Sequence, residues 1–88
     1  MPKIVITHAV VDVGRWLAGK SERAAAIGPY ATDVTDHVAA DGTNQIAITA
    51  DVHDMSGLEA MLASPPADTA AAMERHGVIP PLTVYLEK

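Results

Sequence analysis

The chain has 88 residues, 11 acidic against 6 basic, for a formal charge of −5 with histidine neutral, and this is the size of one small domain. An acidic chain without a lysine or arginine cluster disfavours nucleic acid and anionic membranes as partners. Apolar residues make up 49%, but sixteen are alanine, none is phenylalanine and none is cysteine. A lone monomer is therefore thinly packed, without disulfide or thiolate, and is expected to gain its stability as a homodimer.

Residues 3–11, Lys-Ile-Val-Ile-Thr-His-Ala-Val-Val, are apolar or β-branched on both alternating sets and predict a strand buried on both faces. They follow Met1 and Pro2 without the pattern of a signal peptide. No apolar run approaches the roughly 20 residues that cross a bilayer, so a soluble cytoplasmic protein is expected. Asp12 is placed to cap a helix whose buried stripe is Val13, Trp16, Leu17, Ala24 and Ile27, with Lys20 as a snorkelling stem. Gly28-Pro29 ends it. From Asp33 onward two strands flank Asp41-Gly42 as a hairpin, with Thr43 and Asn44 leaving loop length and register open. In the second of these strands Ile46, Ile48, Ala50 and Val52 make the core face, and Ala47, Thr49 and Asp51 the other. Ser56 with Glu59 forms a capping box before Leu58, Met61 and Leu62. Ser64-Pro65-Pro66 breaks that helix, and Ser64 caps a second segment running through Thr69 and Met73 to a left-handed stop at Gly77. Residues 82–87 alternate as a last strand.

The order strand, helix, strand, strand, helix, strand, with right-handed crossovers, predicts an α+β, ferredoxin-like domain. It has one four-stranded antiparallel sheet in the order 4-1-3-2 with the helices on one face. With the isoleucines turned to the helices, the open face carries one set from the first strand with Ala47, Thr49, Thr83 and Tyr85. That surface is too apolar to stay wet, and a second copy is expected to cover it.

Four stretches carry a resemblance: Thr-His-Ala-Val-Val-Asp-Val-Gly-Arg-Trp at 7–16, Leu-Glu-Ala-Met-Leu-Ala-Ser-Pro at 58–65, Ala-Met-Glu-Arg-His-Gly-Val at 72–78 and Val-Tyr-Leu-Glu at 84–87. Together they resemble small proteins of the dimeric α/β-barrel superfamily, such as antibiotic-biosynthesis monooxygenases and polyketide-cyclase-like proteins. The resemblance spans nearly the whole chain. It implies two sheets facing each other across a dimer, with a cavity between sheet and helices in each subunit. Activity does not follow from it, because the superfamily includes cofactor-free oxygenases, cyclases, isomerases and haem degraders.

The residues that could carry chemistry are few. Gly14 to Ser21 matches the phosphate-loop pattern G-x-x-x-x-G-K-[ST], and Ile46 to Asp51 mimics the strand that ends in a magnesium-binding aspartate. Yet Trp16 and Leu17 suit a buried helix stripe better than a compact loop, and too few residues follow Asp51 to complete a parallel nucleotide-binding sheet. His8, on the first strand, is the first candidate for acid/base work, although parity puts it on the helix side, opposite Thr7, Thr49, Thr83 and Tyr85. Asp36 and His37 lie near the end of the second strand, and alternation allows only one of them to share a face with His8. Tyr85, Thr49 and Thr83 offer hydroxyls to orient a carbonyl or phenol, or to bond across a dimer axis, and Trp16 is a core anchor that walls the cavity. Asp51, His53 and Asp54 alternate faces and do not read as a metal site. His76 reads as a helix-end residue answering the dipole and the last carbonyls.

Residues and resemblance together imply a homodimeric, cofactor-independent catalyst acting on a small hydrophobic carbonyl or aromatic compound. His8 is then the general base, and Tyr85 or a polar residue of the second strand orients the oxygen. The alternative is a pocket that holds a metabolite, or is filled by side chains, without chemistry. Volume separates the two, since ligand pockets usually start near about 300 Å³ and below about 150 Å³ a substrate has no room.

Overall fold

In the computed structural model, which describes residues 2–88, the doubly apolar first segment forms strand β1 over Lys3–Val10, inside a four-stranded antiparallel sheet. The other strands are β2 (Ala31–Val38), β3 (Gln45–Val52) and β4 (Val78–Leu86), and the order β2-β3-β1-β4 is the 4-1-3-2 order expected from the connections. Helices α1 (Val13–Ala18) and α2 (Lys20–Ile27) join β1 to β2; α3 (Met55–Ala63) and α4 (Ala67–Arg75) join β3 to β4. None is long and apolar enough to cross a membrane.

Strand parity builds the core. Ile4, Ile6, His8 and Val10 of β1 and Ile46, Ile48, Ala50 and Val52 of β3 turn to one side and are buried. Trp16, Ile27, Leu58 and Met61 meet them from the helices, and each large side chain so buried contributes roughly 1.5–3 kcal/mol. The alternate set on β1, Val5, Thr7 and Ala9, is only half-buried in the single chain and belongs to the uncovered face. The strand ends one residue earlier than expected: Val11 is 64% exposed, and its N–H is bound by the carbonyl of Gly77.

The first helix differs from expectation because it breaks at Gly19. A Cβ there would overlap the ring of His76, so only glycine lets that ring pack against the turn. Leu17 and Lys20 point to solvent, while Arg23, seven residues after Trp16 and four before Ile27, takes an inward position on the stripe that the helical period itself sets. Asp12 caps α1 as expected, accepting from the Arg15 N–H at 3.0 Å.

β2 carries a bulge that the sequence does not announce. Thr32 pairs with Asp51 and Thr35 with Thr49, so Asp33 and Val34 together face Ala50, with Asp33 in the left-handed region at φ 56°. The extra residue reverses the parity of the rest of the strand. Asp36 then pairs with Ile48 and turns to the helices, while His37 pairs with Ala47 and turns away.

The hairpin loop is long, as Thr43 and Asn44 suggest, and β3 begins at Gln45 with Val38 opposite Ile46. The α3 cap is Asp54 rather than Ser56. Asp54 accepts from the Gly57 N–H at 3.0 Å, being placed one residue before the helix while Ser56 lies inside its first turn. The expected break at 64–66 is present, but Ser64 closes α3 and α4 starts behind Pro66 with no side-chain cap. Gly77, at φ 75°, is the left-handed stop. β4 is an edge strand with two extra residues between Ile79 and Thr83, around the cis Pro80–Pro81 bond. An edge tolerates them because proline has no N–H to give a ladder. Val84 and Leu86 turn to the helix side yet remain 40% and 45% exposed.

Candidate functional site

A cavity of about 70 Å³ lies between the sheet and helices α2, α3 and α4. Ile6, Ile48 and Leu82 wall it from the sheet, and Ala26, Met61 and Met73 from the helices. Its polar neighbours are His8, Glu22, Arg23, Thr69 and His76.

His8 reaches this side because β1 alternates as expected, and it is 5% exposed. Its Nδ1 lies 2.8 Å from the Ala9 carbonyl, an acceptor only, so Nδ1 carries the proton and donates. Nε2 is then a lone pair, and among the described residues it makes no hydrogen bond. Burial holds the imidazole below its ordinary pKa; the Ala9 carbonyl raises it and the Arg23 charge lowers it further. The ring is therefore a neutral, oriented base near pH 7.

Trp16 backs this group rather than lining the cavity. It is fully buried, edge-on to His8 with ring centroids 6.2 Å apart, and the Arg23 guanidinium stacks 3.9 Å from its centroid. Arg23 donates in turn to Asp36, from Nη2 at 2.8 Å and Nε at 3.3 Å, with side chains 9% and 4% exposed. His8, Trp16, Arg23 and Asp36 thus form one buried chain, and its last link depends on the β2 bulge. Arg23 Nη1 and Trp16 Nε1 are buried without partners among the described residues, and cation–π stacking offsets part of that cost for the guanidinium. Arg23 is the residue that sequence reasoning missed. Its signal was an arginine at helical spacing from Trp16 and Ile27.

The remaining candidates lie elsewhere. Tyr85 and Thr49 flank Val5, and Thr83 and Ala47 flank Thr7, all on the open sheet face, where His37 also sits. Within the chain none of them reaches the cavity, so His8 and Tyr85 do not meet there. His76 differs from its expected role. Its ring turns to Glu22, with Nε2 3.4 Å from Oε1, while Arg15 binds the last α4 carbonyls, donating to Glu74 and Arg75. Hydrogen bonds from His76 first and Arg75 second hold the Glu22 carboxyl below its ordinary range. Gly14 to Ser21 lies on α1, Gly19 and α2 with Trp16 buried inside it, so no phosphate loop is formed. Asp51 pairs with Lys3, Asp54 caps α3 and His53 is exposed; among the described residues no three His, Asp or Glu gather as a metal site requires.

No family model matches the sequence, and no curated protein matches it. Solved structures do. SnoaB, a cofactor-independent oxygenase from Streptomyces nogalater, is similar at a TM-score of 0.69 and 16% identity, over 99% of this chain and 92% of that one. An antibiotic biosynthesis monooxygenase is similar at 0.61 and 12%, over 100% and 97%. Rv0793 from Mycobacterium tuberculosis is similar at 0.55 and 17%, over 100% and 94%. Across its whole described length the chain has the ferredoxin-like α+β fold of antibiotic-biosynthesis-monooxygenase structures, as the resemblance in its sequence implied.

Proposed function

We propose that the protein is a cofactor-independent, cytoplasmic, homodimeric enzyme that removes a proton from a compact hydrophobic carbonyl or aromatic compound in the helix-side cavity. The observation that carries this reading is His8: a buried neutral imidazole, pinned through Nδ1 on Ala9, with Nε2 unpartnered among the described residues and beside an apolar cavity. In the reaction a substrate C–H or O–H bond breaks, the proton passes to Nε2, and the electron pair is left as an enolate or phenolate. Arg23 lies on the cavity lining, and the part of its positive charge that the paired Asp36 leaves unbalanced favours that anion, while Asp36 positions Arg23. An oxygenase outcome needs dioxygen as a second reactant, taking electrons from the enolate; the likeness to SnoaB supports including it.

The dimer is proposed through the open sheet face. Val5, Thr7, Ala47, Thr49, Thr83 and Tyr85 lie together at its middle, with the charged Lys3, Asp51 and Glu87 gathered at one end. Tyr85, 56% exposed, and His37 then belong to that interface.

The cavity volume favours a second reading. About 70 Å³ is below the roughly 150 Å³ at which a substrate has room, which favours a space largely filled by side chains and without chemistry. Deuterium exchange separates the two. In D2O the α-protons of cyclopentanone should exchange faster with the protein than in buffer, and His8→Gln should abolish the excess while far-UV circular dichroism stays unchanged. Excess exchange that survives His8→Gln refutes His8 as base, and the absence of any excess supports the second reading. An oxygen electrode with the same ketone reports whether dioxygen is consumed.

A further inference from the structure

Glu22, Ala26, Thr69 and Ala72 line the helix-side cavity, and the same four line an open groove on the surface between α2 and α4. A set of residues belonging to both marks where the two spaces abut. We propose that this α2–α4 seam is the entrance to the cavity, that Ala26 and Ala72 set the width of what passes, and that its negative rim turns carboxylates away. This rests on the cavity being the ligand site.

The seam is unequally held. At one end Arg15 binds the last carbonyls of α4, and Glu22 bonds both Arg75 and His76, tying α1 and α2 to the end of α4. At the other end α4 starts behind Pro66 without a side-chain cap, and no residue of α4 is buried. Opening there separates few apolar contacts, which is the condition for local motion. Met61 and Met73 on the inner wall are unbranched and can repack around a guest, so a 70 Å³ space can widen on entry. At the rim Glu22 is matched by Arg75 and His76, whereas Asp68 faces the groove with its carboxylate bonded, among the described residues, only to the Thr69 N–H. A carboxylate solute meets that negative charge and apolar walls beyond it, so a neutral compound enters more readily.

The test is a titration with cyclopentanone followed through the 13C-methyl signals of Met61 and Met73. The wild type should show shifts at both methyls, and isobutyrate should not shift them. Ala72→Leu, on the seam, should slow entry and exit together by about tenfold or more, because a gate raises the barrier in both directions. Ala71→Leu, which lines only the outer groove, should leave both rates as in the wild type. Exit accelerated in Ala72→Leu overturns the inference, since it marks residue 72 as filling the cavity rather than gating it. Equal slowing by Ala71→Leu, or isobutyrate entering as readily as the ketone, overturns it too. In those cases the wild-type shifts still support the cavity as the ligand site, whereas no shift with cyclopentanone removes that reading and the entrance with it.

Discussion

Arg23→Met tests the buried chain most directly. The pair it breaks joins a guanidinium 9% exposed to a carboxylate 4% exposed through two hydrogen bonds, with Trp16 under the guanidinium. Methionine fills much of the same volume on the Trp16 face but leaves the Asp36 charge buried and uncompensated. Breaking such a pair on one side removes about 3–5 kcal/mol, whereas replacing both partners by apolar groups is often neutral. A domain of this size has roughly 5–10 kcal/mol in all, and each kcal/mol moves its midpoint by about 4–8 °C. Arg23→Met should therefore lower the melting temperature by tens of degrees or leave the chain unfolded. Arg23→Met with Asp36→Leu should recover most of the loss. Thermal and urea melts of the two single variants and the double variant form a cycle whose coupling term should exceed about 1 kcal/mol. In the double variant the His8 pKa, followed by NMR, should also rise, because Arg23 is one cause of its depression. A single variant that loses under about 1 kcal/mol, or a double variant no better than Arg23→Met, refutes the reasoning.

Three further outcomes follow from other residues. His8 has a folded pKa below its unfolded value near about 6.5, so its neutral form stabilises the native state fully above that pH. As pH falls below about 6.5 that contribution should drain away at no more than about 1.4 kcal/mol per pH unit, and a urea series in which His8→Gln keeps the whole slope would contradict it. Gly19→Ala forces a methyl into the His76 ring, and the overpacking should remove about 1–3 kcal/mol; a melting temperature within a degree of the wild type would show that the ring moves freely. Sedimentation equilibrium at micromolar concentration should give a dimer, and Thr49→Arg, placing a charge mid-face between Val5 and Thr35, should give a folded monomer. A monomeric wild type removes the proposed interface.

What the sequence decides by itself is whatever depends on local periodicity. The alternation of Ile4, Ile6 and His8 with Val5, Thr7 and Ala9, the left-handed stop at Gly77, the prolines at 65–66 and the order of elements place the four strands and the helical layer in chain order, although β4 starts at Val78, four residues before the last strand read from 82–87. They also put His8 on the helix side and Tyr85 on the other, since parity along one strand is a local property. The partner of Arg23 is not local. It depends on one extra residue in β2, where Asp33 adopts a left-handed conformation and reverses the parity of Asp36 and His37, and aspartate at 33 is compatible with either register. The break at Gly19 is similar: glycine is tolerated in a helix, and it becomes a turn only because His76, far along the chain, packs against it. Strand and helix periods are written in neighbouring residues. Contacts between residues 19 and 76, or 23 and 36, exist only once the sheet has brought those segments together, and that is why the buried polar chain behind the cavity was decided by tertiary structure.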